Sequence, residues 1–131
     1  MIVVDASAVI EGITSLLHPA VEVISDAGEL HAPYLIDYEI DHALGRLERH
    51  RSLAAGVVDD ARGLFAVLPL NRHAHRHVAE RAWDLRRNLS IYDASYVALA
   101  ERLGVPLLTA DRRLATAPGH NAEVIVVEAP S

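Results

Sequence analysis

Four acidic positions sit where a carboxylate can do chemistry: Asp5 closing MIVVD, an acid of the YEID segment, Asp93 in IYDASYVALA, and Asp111 in LLTADRR. On a helical projection of about 100° per residue, Asp93 lies roughly 20° from Ala100 and roughly 40° from Val97, so it points into an apolar face. The same projection leaves the acid of YEID open. Glu39 and Asp37 border opposite edges of the Ile40, Ala43 and Leu47 stripe, while Asp41 points further out. Each acid alone has an ordinary reading: Asp5 as a helix starter, Asp93 as part of a cap with Ser90, Asp111 as a turn residue. Massed at one sheet end, they would repel one another and carry raised pKa values unless a cation neutralised them. Oxygen donors without cysteine or an obligatory histidine suit Mg²⁺ or Mn²⁺ better than zinc, and such ions commonly serve phosphate substrates.

Composition narrows the chemistry further. The 131 residues fit a single domain, 1–131, and contain no cysteine, which excludes disulfides and thiolate metal sites. All 12 basic residues are arginine, and against 18 acids they leave a net charge of −6. An acidic chain lacks the positive footprint of a nonspecific nucleic-acid binder, so a polyanion must be met locally or through bound cations. Without lysine, a response-regulator-type phosphoacceptor site lacks a required group. An aspartyl-nucleophile phosphohydrolase lacks the lysine too, and has Ser7 where a second acid belongs. MIVVD carries no basic leader and no apolar stretch approaches the roughly 20 residues of a membrane span, so a cytoplasmic protein with no membrane association is expected.

The acids need elements to hold them. Ile2–Val4 reads as a buried strand, followed by a helix capped by Ser7 and carrying Val9, Ile10, Ile13, Leu16 and Leu17, then a helix over about residues 20–28. Strands are expected at Leu30–Pro33, Phe65–Leu70, Val105–Thr109 with Pro106 at its start, and Glu123–Val127. Helices are expected around Ile36 to Leu47, over 53–64, over Ala74–Arg87, and over 91–103, stopped by Gly104. The alternation predicts an α/β fold, a three-layer α/β/α arrangement around a central, mainly parallel, five-stranded sheet. Such sheets place sites beyond their strands' carboxyl ends, where Asp5 and Asp111 fall.

VVDAS, YEIDHAL and IYDASYVALAERLGVPLLTADRRL, in that order and spacing, resemble a PIN domain across essentially the whole chain. RAWDLRRNLSIYDASYVALA resembles the VapC-type toxins of bacterial toxin–antitoxin pairs in particular. The resemblance selects Glu39 in YEID and carries the family's acids onto Asp5, Glu39, Asp93 and Asp111, with Ser7 and Thr109 as polar neighbours that orient ligands or water. It implies a Mg²⁺- or Mn²⁺-dependent endoribonuclease acting on tRNA, rRNA or mRNA, a homodimer, and a VapB-type antitoxin that seats near Ile13 to Leu17 and Val57 to Leu64. In the expected chemistry, a cation held by Asp5, Asp93 and Asp111, with Glu39 assisting, activates water for in-line attack at phosphorus, and a second cation could assist the departing 3′ oxygen. The alternative is an inert PIN-fold binding module.

Arg112 and Arg113 beside Asp111 are the leading phosphate contacts, ahead of Arg86 and Arg87. His73, His75 and His77 in HAHRH have zinc-like spacing, but exposed histidines at a helix start are the plainer reading. Trp83, Leu85, Tyr92 and Tyr96 could offer a stacking platform, although packing in a core or subunit interface is the preferred expectation.

Overall fold

The computed structural model describes residues 1–128. Its strands are β1 (Ile2–Val4), β2 (Leu30–Pro33), β3 (Leu70–His73), β4 (Leu107–Thr109) and β5 (Val124–Val126). The helices are α1 (Ala6–Thr14), α2 (Pro19–Asp26), α3 (Leu35–Arg49), α4 (Ala55–Val67), α5 (Ala79–Asp84), α6 (Ile91–Leu103) and α7 (Arg113–Thr116), with a 3₁₀ turn at His75–His77. All pairings in the sheet are parallel, and the strand order is β3-β2-β1-β4-β5. The expected α/β fold is present.

Strand order explains the layers. From β1 the chain steps to β2 and then β3, and right-handed crossovers put α1 to α4 on one face of the sheet. It then returns past β1 to β4 and β5, so α5 and α6 cover the other face. Contacts agree: α1 packs on α2, α3 and α4, whereas α5 packs on α6. The direction reverses between β1 and β4, which makes the crevice beyond their carboxyl ends the natural site.

Several elements depart from expectation. The run FAVLPL was expected to form the third strand at Phe65–Leu70, but α4 continues to Val67 and β3 is the polar LNRH. The buried stripe Val58, Ala61 and Phe65 keeps helical period through that run, and an edge strand needs no continuous apolar sequence. The expected helix over Ala74–Arg87 is instead a 3₁₀ turn followed by the short α5. Helix α1 stops at Thr14, leaving Leu16 and Leu17 exposed. Its N-cap is Asp5, not Ser7: the Asp5 carboxylate accepts from the Ala8 N–H. Trp83 is 59% exposed with the Arg86 guanidinium 4.5 Å from its ring centroid, so it is no part of the core.

The core lies on both sheet faces and is densest at α6, where every residue from Ala94 to Ala100 is buried. Alanines at 94, 98 and 100 let the helix lie close to its neighbours. A helix buried all round has no single apolar face, so the half-buried state of Asp93 follows from its place in the first turn. No single helix among the described residues is long and apolar enough to cross a membrane.

Candidate active site

Asp5 follows β1 directly, and its position is fixed by the strand that precedes it and the helix that it caps. Its Oδ1 accepts from Ser7 Oγ at 2.7 Å and from the Ala8 N–H at 3.0 Å, and its Oδ2 accepts from Thr109 Oγ1 at 2.5 Å. Ser7 Oγ in turn accepts from the Ala110 N–H, and Thr109 Oγ1 from the Asp111 N–H, both at 2.9 Å. Both hydroxyl protons are thus committed to Asp5. Three of its roughly four lone-pair positions are filled, leaving about one for a cation. Ser7 and Thr109, expected as supporting groups, tie the end of β1 to the end of β4.

Burial raises the Asp5 pKa above the ordinary carboxyl value, against its three hydrogen bonds, and the charge of Asp93 adds to the rise. Glu39 is raised in the same way, by burial first and then by Asp93 and Asp5, while a 2.6 Å hydrogen bond donated by Tyr96 Oη opposes the shift. Asp93 is raised by burial and by Asp111, with Arg113 and Ser90 opposing. The Ser90 cap on the Asp93 N–H is present at 3.1 Å, as expected. Tyr96 is itself pushed far up by burial and by Glu39, so it remains a donor. Three carboxyls from three segments therefore feel one another.

Asp111 differs. Arg113 binds it through both carboxylate oxygens, at 3.1 Å from Nε to each and 2.6 Å from Nη2 to Oδ2, and this holds its pKa below the ordinary value. Arg112 pairs with Glu128 at 2.8 Å. The two arginines expected to meet phosphate are thus engaged by acids, and Arg86 donates to the Trp83 carbonyl. Among the described residues no three His, Cys, Asp or Glu side chains are grouped closely enough to hold a metal ion as they stand. The donor set nevertheless fits a hard divalent cation in kind. It is all oxygen, and burial and mutual repulsion disfavour the charged form of three of its four members.

Of the other acids of α3, Asp37 pairs with Arg72 and Asp41 with Arg62, so each has a cationic partner where Glu39 has a hydroxyl. His73 also has a role that spacing did not reveal: its Nε2 lies 2.9 Å from Nδ1 of the buried His31, one strand away. His75 and His77 sit in the 3₁₀ turn and do not complete a metal set. Parallel pairing of β2 with β3 makes that histidine pair, and no signal within either segment announces it.

A family model described as PIN domain matches residues 2–119. The chain is 40% identical over 131 residues to ribonuclease VapC1 of Mycobacterium tuberculosis, covering 95% of this chain and 96% of that protein. In structure it is similar to PAE2754 from Pyrobaculum aerophilum, with a TM-score of 0.68 at 26% identity over 94% of this chain and 82% of the other. It also resembles a chain of a toxin–antitoxin complex from Klebsiella pneumoniae, with a TM-score of 0.67 at 17% identity over 96% and 97% of the two chains.

Proposed function

This chain belongs to the PIN-domain family, in its VapC branch, and from that premise we propose that it is a Mg²⁺- or Mn²⁺-dependent endoribonuclease, the toxin of a VapBC-type pair. One observation supports the reading: at the switch point of a parallel sheet, Asp93 raises the pKa of both Asp5 and Glu39, and Asp5 adds to the rise at Glu39, although the three are distant in sequence.

When bound, the divalent ion supplies a Lewis acid that makes water nucleophilic near neutral pH and screens phosphate from the acids. Asp5 and Asp93 would be its principal holders. Ser7, Thr109 and the Ala8 N–H fix the Asp5 carboxylate in one orientation, so little reorganisation remains at the moment of reaction. Tyr96 holds Glu39, which orients the cation or a water. Asp111 would complete the set if Arg113 released it, and the freed guanidinium could then contact phosphate.

The antitoxin partner is supported by an apolar groove. Leu16 and Leu17 are 70% and 94% exposed and Val67 is 77% exposed. Leu16, Val67 and Leu64 line a cavity of about 250 Å³ that reaches Gly12 and Ile24 between α1, α2 and α4. A VapB-type segment laid there would bury these side chains. A homodimer is part of the same proposal.

Purified protein incubated with total RNA and Mn²⁺ is expected to cut it, EDTA to stop the reaction, and Asp5→Asn to slow it roughly a hundredfold or more. Equal cleavage by Asp5→Asn would sink this site. Absence of cleavage with retained binding of an antitoxin would favour the inert binding module.

A further inference from the structure

A cavity of about 790 Å³ opens beside the carboxylates and shares Ser7 and Glu39 with them. Tyr38 of α3 and Tyr92 of α6 line it from two different elements, and they are 79% and 62% exposed. Neither phenol makes a hydrogen bond among the described residues, and no arginine lines the cavity. Ile10 and Leu35 supply an apolar wall, and His42 adds a ring nitrogen at the edge. Two exposed aromatic rings at the mouth of a catalytic crevice leave large apolar faces in water, a cost that a flat ligand would relieve.

Charge decides which part of a nucleotide enters. The acids lining this cavity are Glu39 and Glu11, so a phosphate group is repelled from its interior, whereas a neutral planar ring is not. We propose that Tyr38 and Tyr92 form a stacking site for one unpaired nucleobase next to the scissile phosphate. This rests on the ribonuclease reading. A base inside a duplex cannot present its face to two tyrosines, and stacking tolerates any of the bases because each has a π-face. His42 would add a preference through a base-edge hydrogen bond.

The test is fluorescence anisotropy with a labelled single-stranded RNA of mixed sequence and Ca²⁺ as the divalent ion, beside a duplex of the same sequence and an abasic ribose-phosphate strand. Tyr38→Ala and Tyr92→Ala are expected to raise the Kd for the single strand roughly five- to a hundredfold each, the stacking contribution of one base. Tyr38→Phe and Tyr92→Phe should restore binding, and the abasic strand should bind all variants alike. Both side chains are exposed, so thermal midpoints should stay close to wild type. Unchanged single-strand binding by the alanine variants, or phenylalanine variants as weak as alanine, overturns the inference; a cavity built for a protein partner would give the first result. Cleavage by the wild type, measured separately with Mn²⁺, distinguishes failure of this pocket from failure of the nuclease reading. A protein that binds the single strand through both tyrosines but does not cut would retain the pocket and lose the nuclease.

Discussion

Arg113 and Asp111 show how neighbouring residues alter one another's chemistry. The doublet Arg112-Arg113 reads as a phosphate contact, yet the guanidinium of Arg113 turns back onto Asp111 and lowers its pKa. A cation or a phosphate must therefore compete with this exposed ion pair, which salt screens and which adds little to stability. Replacement by Arg113→Ala is expected to move the Asp111 titration to higher pH, as read from its side-chain carboxyl resonance in a ¹³C NMR titration; an unmoved titration would show that another group holds Asp111 ionised. Asp5, Asp93 and Asp111 were legible because they stand just past strand ends or in a first turn, where the sequence pattern is clear. Their partners were less legible. Nothing local to YEID distinguishes Glu39, because its distinguishing neighbour is the Tyr96 hydroxyl, 57 residues away, and the arginines that engage Asp37 and Asp41 are also remote.

At the scale of elements, α6 carries its boundaries in its sequence. Ser90 caps its start and Gly104 ends it in the left-handed region at φ 67°, with the Gly104 N–H bonding back into the last turn. No atom lies within 4 Å of where a Cβ at Gly104 would stand, so Gly104→Ala tests backbone strain alone. It is expected to cost about 1 kcal/mol, lowering the urea midpoint with an unchanged slope. Where the sequence misled, the reason is a change of period. The buried stripe of α4 runs into FAVLPL, so an apolar run that reads as a strand begins as a helix end. The strand that follows, LNRH, lies at the sheet edge, where Asn71 bonds the Leu30 carbonyl and Arg72 bonds Asp37. Polar residues are satisfied there by partners on other elements, which local pattern cannot show. Trp83 departs from the expected packing because the short α5 leaves it on the outer side, 59% exposed, with the Arg86 guanidinium over its ring.

For the molecule as a whole, the crowded acids contribute to the dependence of stability on pH with a sign of their own. Asp5, Glu39 and Asp93 have folded-state pKa values above their ordinary ones, so the folded protein holds protons that the unfolded chain has released. Their contribution is fully present below the unfolded values, near 4, and is lost as pH rises through the folded ones. Asp111, Asp41 and Glu101 have the opposite sign, stabilising above their unfolded values and losing that contribution as acid protonates them, and the lowered His73 likewise adds stability as pH rises. In EDTA the thermal midpoint of the wild type, taken relative to that of Asp5→Asn, should therefore fall as pH rises from about 4.5 towards neutrality. Asp5→Asn should sit a few degrees higher at neutral pH, because its amide can still accept from Ala8 and Ser7 while donating to Thr109. A difference between the two proteins that stays constant across that range would contradict the raised Asp5. The strand order has a further consequence, in time. Asp5 leaves the ribosome well before the hydroxyl that holds its Oδ2, which belongs to Thr109, 104 positions later, on a strand that must dock against β1. A nascent chain that ends before β4 carries the first acid without the group that orients it. The centre takes its final form only after β4 has been made and docked.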